Sequence, residues 1–174
     1  MIFFFTTKAV IYFLKTVKGS AIASSIYRDQ NRNYGPRFAV DGLWSTKSFQ
    51  IFNSKIEKLP WLQWNLPNRT DVIGVAISDK WSITTFKNAT THSTNDVPNI
   101  EVRAGTTPIH GEYKGLITEN QFCGRVAVRG GEDRVYTIMC EKSIQSDYIT
   151  IQMIDDNVSL RINELEVIEN LEGK

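Results

Sequence analysis

Apolar residues along this chain recur mostly with period two, not with the three-and-four spacing of a helix. Tyr148, Thr150 and Gln152 alternate with Ile149, Ile151 and Met153, the pattern of a strand with one face on a core and the other toward solvent. Comparable runs extend over Trp61 to Leu66, Val72 to Ser78, Ile100 to Ala104, Arg134 to Cys140 and Leu160 to Ile168. No segment keeps apolar residues at helical spacing over three turns. Between the runs lie Asn33-Tyr34-Gly35-Pro36, Pro67-Asn68-Arg69, Asn95-Asp96-Val97-Pro98 and Gly130-Gly131-Glu132-Asp133, each carrying residues that set turn dihedrals. Short strands punctuated by turns predict an all-β sandwich or barrel. Two stretches, Asp41 to Leu59 and Lys80 to Asn99, have poor periodicity and many side chains able to contact a ligand. Long loops of this kind in a compact β domain are usually functional or disordered.

Length and charge narrow the picture. A chain of 174 residues buries a proper core but is short for two ordinary domains. Its 20 Lys and Arg against 19 Asp and Glu leave a net charge of +1. No field of one sign exists to gather nucleic acid or an anionic membrane, so recognition has to be local. P-loop, GxGxxG, HExxH, GxSxG and CxxC motifs are absent, and the two histidines, His92 and His110, stand in polar, loop-like surroundings. A His-based triad or a zinc cluster has almost no material to work with. A glycosidase needs two carboxylates facing one cleft, and the acidic pairs Glu132-Asp133 and Asp155-Asp156 read as turns. The expectation is a binding domain and not an enzyme.

The opening run, Met1 to Phe5 and Ala9 to Leu14, is interrupted by Lys8 and closed by Lys15, too short and too charged to span a bilayer. Residues 1–13 read as a signal remnant or a linker, 14–170 as one domain and 171–174 as a tail. The only two cysteines, Cys123 and Cys140, frame a hairpin-like unit. A bridge between them would stabilise the fold by about 3 kcal/mol. The alternative is two buried free thiols, the preferred reading for a cytosolic protein. Sequons at Asn68, Asn88 and Asn157 fall in predicted turns, where an oligosaccharide can be accommodated.

The order of several short blocks then resembles an F-type lectin (fucolectin) domain, a branch of the discoidin-like, coagulation factor 5/8 type C family. The blocks are Lys18 to Ser25, Ala39-Val40-Asp41-Gly42, Pro60 to Leu66, Ile100 to Gly105, Asn120 to Gly124, Ile138-Met139-Cys140 and Leu160 to Val167. They cover roughly Leu14 to Asn170. The resemblance implies a single jelly-roll β-sandwich of the galactose-binding-domain-like kind, with a disulfide where Cys123 and Cys140 fall.

The resemblance also implies two sites. In the family, fucose is held by a His followed, after twenty-six residues, by Arg-x-Asp-x4-Arg/Lys, with two adjacent cysteines packing on the sugar. Asn53 stands at the His, Lys80 at the Arg, Ser82 at the Asp and Lys87 at the final basic position, while Ile83-Thr84 replace the cysteines. An Arg fork fixed by a carboxylate grips two hydroxyls at set geometry, whereas a lysine is a mobile point charge. The fucose-type site is therefore degenerate. Trp44 and Trp81 are the candidates for a ring stacked on a sugar face; Phe49 and Phe52 read as core, and Trp61 and Trp64 as strand packing. The second implied site is a structural Ca²⁺ at the loop around Asp41 and the closing strand. Asp41 and Glu164 supply carboxylates, carbonyls of Phe38, Leu43 and Asn163 complete the shell, and Gln50 stands near a further ligand position.

Two functions compete. The first is a secreted, calcium-stabilised lectin domain whose partners are fucosylated or related glycans. It would act as a homo-oligomer or within a larger multidomain chain, because weak single sites gain from multivalency. The second is a discoidin-like adhesion or interaction module that has lost sugar binding and contacts a protein or membrane surface, with Trp44, Trp81 or Phe86 at its loop tips.

Overall fold

The computed structural model describes residues 13–15, 18–29, 32–43, 50–79, 99–111, 113–127 and 134–169. In chain order these form β1 (Phe13–Lys15), β2 (Ser20–Ala23), β3 (Arg28–Asp29), β4 (Arg32–Asn33), a 3-10 turn (Pro36–Ala39), β5 (Phe52–Asn53) and β6 (Trp61–Asp79). They continue with β7 (Asn99–Gly105), β8 (Gln121–Ala127), β9 (Arg134–Ile154), β10 (Arg161–Ile162) and β11 (Glu164–Glu169). The described residues contain no α-helix, as the period-two pattern predicts.

Two long strands organise the molecule. β6 and β9 pair antiparallel along their length, and register shifts between Asn65 and Thr70 and between Val72 and Gly74 divide the ladder into two arms. The first arm of β6 carries β2, while the paired arm of β9 carries β7 and then β8. The second arm of β6 carries β11 and then β1. The two arms face each other as the layers of a jelly-roll sandwich, and bulges of this kind are what lets one strand bend from one layer into the next.

Side chains of both layers meet in one core. Leu62, Trp64, Ile100, Val102, Ile149, Ile151 and Met153 come from the first layer, and Val75, Ile77, Tyr136, Ile138, Leu165 and Val167 from the second. All are alternate residues of their strands, so each pleat turns one side inward. The assignment of Trp61, Trp64 and Phe52 to packing holds, because all three are buried.

The sequence pattern misleads at five places. Pro67-Asn68-Arg69 lies inside β6, at its register shift, and not in a turn between two strands. The runs Arg134 to Cys140 and Tyr148 to Ile154 are one continuous strand, and Leu160 to Ile168 is broken at Asn163. Cys123 and Cys140 do not frame a hairpin: β8 pairs with β7, and the disulfide joins it to β9. Thr150 and Gln152 are as buried as their apolar neighbours.

The last discrepancy has a clear cause. The segment after β7 folds back over the outer face of the first layer, where Ile109, Ile117 and Tyr113 pack on Trp61. Its backbone is met by glutamines of the sheet. Ile109 N–H donates to Gln63 Oε1 at 2.5 Å and Ile117 N–H to Gln152 Oε1 at 2.9 Å. Gln152 Nε2 donates to the carbonyls of Leu59 and Gly115, and Trp61 Nε1 donates to Tyr113 O at 2.8 Å. Gln63 and Gln152 can thus floor a covered face because their amide donors and acceptors are satisfied, whereas the Thr150 hydroxyl is buried without a partner.

Replacing Gln152 with Ala strips partners from three backbone groups and lowers stability by about 2 kcal/mol. Hydrogen exchange should rise in residues 109–117 and stay slow in β6 and β9. A uniform rise would show that the covering segment is not a separable unit.

Candidate functional site

Two groups of side chains occupy places the fold makes distinctive. The first sits where the 3-10 turn meets β11. Pro36 opens that turn with its φ already set, as proline favours at a helix start, and the buried Ala39 and Val40 anchor its end in the core. The chain must then reverse at once, and Gly42 does so at φ +78°, a region that favours glycine. The reversal aims the Leu43 N–H at two carboxylates, 2.9 Å from Asp41 Oδ1 and 2.9 Å from Glu164 Oε2.

Two acidic groups therefore share one donor. Burial and the neighbouring Asp41 charge push the Glu164 carboxyl up to about 8, against opposition from the N–H groups of Gly42 and Leu165. Beside it, Asn163 is held by its own N–H to Ser78 O at 2.8 Å and by Nδ2 to Ser78 Oγ at 3.4 Å. Its Oδ1 is buried without a hydrogen-bond partner. No third acidic, His or Cys side chain joins the pair among the described residues. The two carboxylates that meet at the Leu43 N–H are hard oxygens of the kind Ca²⁺ takes. Leu43 is exposed, and Phe38 lies under the Arg37 guanidinium at 4.8 Å. Gln50 is half-buried at the far side of residues 44–49.

The second group surrounds Asn53. β10 lies antiparallel to β5, so Arg161 is paired with Asn53. Asn53 itself is buried. Its Oδ1 accepts from Ser159 Oγ at 2.5 Å and from Arg161 Nε at 3.3 Å. On the other side its carbonyl accepts from the Tyr27 N–H at 2.8 Å. An open cleft of about 800 Å³ adjoins this ladder, lined by Ala23, Ser24, Ser25, Ile26, Tyr27, Arg28, Lys55 and Ile56. Tyr27 is 43% exposed, and its ring is braced by the buried Tyr34 at 5.6 Å between centroids.

Of the residues singled out from sequence for the sugar site, Trp44, Lys80, Trp81, Ser82 and Lys87 lie outside the described residues. So do Phe49, Ile83, Thr84 and Phe86. Asn53 is the member within them. Sequence reasoning passed over Tyr27, Arg28, Lys55 and Arg161. The signal for the first two was an aromatic and cationic run, Tyr27 to Arg32, ahead of the Gly35-Pro36 turn. Arg161 carried no signal, because only strand pairing sets it beside Asn53.

The architecture is that of the fucolectin and discoidin-like modules. The structure of an F-lectin (fucolectin) from striped bass (Morone saxatilis) serum superposes with a TM-score of 0.69 at 17% identity, covering 91% of this chain and 50% of that one. This chain therefore spans half the length of the bass protein. A mutant lectin domain of lectinolysin complexed with Lewis b gives 0.61 at 15% identity, covering 88% of this chain and 94% of that one. The family 32 CBM from C. perfringens NanJ, in complex with galactose, gives 0.54 at 20% identity and is covered completely by 91% of this chain. No protein-family model matches the sequence, and no curated protein matches it in the corresponding search. The disulfide expected from the resemblance is present, Cys123 to Cys140 with a Cα separation of 4.1 Å.

Proposed function

We propose that this chain is an extracellular carbohydrate-binding domain, stabilised by calcium, with an altered fucose-type site at the end of the sandwich that carries Asn53. The observation that carries the reading is the cleft at Tyr27, whose N–H bonds the Asn53 carbonyl, where that exposed, braced ring stands among cationic and small polar side chains. A flat ring for the apolar face of a sugar, with polar groups at its rim, is how saccharides are commonly held. Fold neighbours named for fucose, Lewis b and galactose support the choice of ligand class. The disulfide suits an oxidising compartment. The Asp41 and Glu164 pair, with the partnerless Asn163 oxygen, supports the calcium assignment, and the cation would there hold the loop to β11.

Lys80 and Lys87, with Trp44 and Trp81, complete the proposed site by the resemblance, and Arg161 is the added cation at Asn53. A second reading, an adhesion module without sugar binding, is favoured by the Asn53 oxygen, which is already taken up inside the sandwich.

A glycan array probed once with calcium and once with chelator separates the two. Binding to glycans, reduced by chelator and at least severalfold by Lys80→Ala, is the expected result. Silence in both buffers from folded, disulfide-intact protein would move the assignment to the adhesion module.

A further inference from the structure

We infer that the cleft at Tyr27, Arg28 and Lys55 selects anionic saccharides, whose carboxylate or sulfate pairs with the two cations while the sugar ring lies on Tyr27. This inference rests on the carbohydrate reading above and narrows it to a ligand class.

The Ser24 and Ser25 hydroxyls both donate to Glu57 Oε1, at 2.7 and 2.5 Å. Their oxygens accept as well, Ser24 Oγ from Trp61 N–H and Ser25 Oγ from Lys55 N–H, each at 3.0 Å. Both serines are thus spent inside the wall. They also take up one oxygen of the Glu57 carboxylate. Asp29 accepts from Tyr34 Oη at 3.4 Å and has a further partner. What remains on the wall is Arg28 and Lys55, whose side chains have no ion-pair or hydrogen-bond partner among the described residues. Alanine and isoleucine supply the rest, apart from the Tyr27 hydroxyl.

The free polar side chains of such a wall are almost entirely donors. Guanidinium and ammonium groups carry no acceptor, so a neutral sugar hydroxyl can receive from them but finds little to give its own proton to. A carboxylate or sulfate is acceptor-only and fits without that mismatch, with charge-assisted bonds stronger than neutral ones. The tyrosine adds what a free anion site lacks, an apolar platform for a ring. The exposed Ile56, with Ile26 beside it, extends that platform.

The test is binding of immobilised lactose, 3′-sialyllactose and 3′-sulfated lactose to the full chain, with neutral fucosylated glycans and phosphatidylserine vesicles alongside. The two acidic lactoses should bind about tenfold more tightly than lactose, as one charge-assisted bond supplies. Arg28→Gln and Lys55→Gln should each remove most of that preference, and raised salt should do the same. Tyr27→Ala should weaken acidic and neutral sugars together. All three side chains are exposed, so the variants keep the fold, which a thermal melt checks. Equal binding of acidic and neutral glycans overturns the anionic preference and leaves the carbohydrate reading standing. Vesicle binding lost with Arg28→Gln, in the absence of any glycan binding, overturns both.

Discussion

Replacing Cys123 and Cys140 together with Ser lowers the unfolding free energy by about 3 kcal/mol, read as an earlier urea midpoint. The melting temperature falls by about 10 °C for a domain of this size. The bridge spans 17 residues of sequence, and closing a loop of that length removes freedom from the unfolded chain. Its position adds to the effect. β8 is an edge strand paired only to β7, and β9 is one of the two strands common to both layers. Cutting the bridge therefore frees an edge that strand pairing holds on one side alone. Gly124 lets the strands come this close, since a Cβ there would lie 2.6 Å from Ile138 Cγ2. A double variant with an unchanged urea midpoint would show that pairing with β7 suffices.

Calcium should raise the melting temperature at pH 8 and do far less at pH 5, and Glu164→Gln should abolish the difference. The sign follows from linkage. Glu164 titrates near 4.5 when free and at about 8 in the folded chain, so the folded state holds the proton more tightly. That contribution is fully present below pH 4.5 and is lost as pH rises through 8. The metal-free protein is thus progressively less stable over this interval. A cation between Asp41 and Glu164 would replace the proton, and its binding would compete with protonation. At a hundredfold excess over its Kd the gain is about 2.7 kcal/mol. A calcium response of equal size at both pH values, or one that survives Glu164→Gln, would remove the metal from this turn.

Much of the fold was legible in the chain because a strand advertises itself locally. Alternation at Ile149, Ile151 and Met153 marks an inward face whatever lies beyond it. The strands that escaped notice are short or polar. β2 is largely exposed along its length, and β8 carries only one fully buried residue, Cys123; each is held by the neighbour it pairs with, not by its own pattern. Gln63 and Gln152 show the opposite failure. Their polarity suggests solvent, and only the segment folded over them, with backbone groups seeking partners, makes that face interior.

The candidate sites divide along the same line. Asp41-Gly42 was readable as a special turn, since a glycine after an aspartate is a local signal. That Glu164 returns to within hydrogen-bond reach of Leu43, across 121 residues of sequence, depends on where β11 docks against β6. The resemblance singles out Asn53, but its burial against Ser159 and Arg161 is a product of the β5 and β10 pairing. The sequence by itself determined the class of strand, the absence of catalytic motifs, the pair of cysteines and the polar loops, because these follow from near neighbours and from composition. The tertiary structure alone decided which cations stay without partners among the described residues, which carboxylates crowd together and which ring faces an open cleft. Those properties belong to groups distant in sequence, and burial and pairing fix them only once the layers have closed.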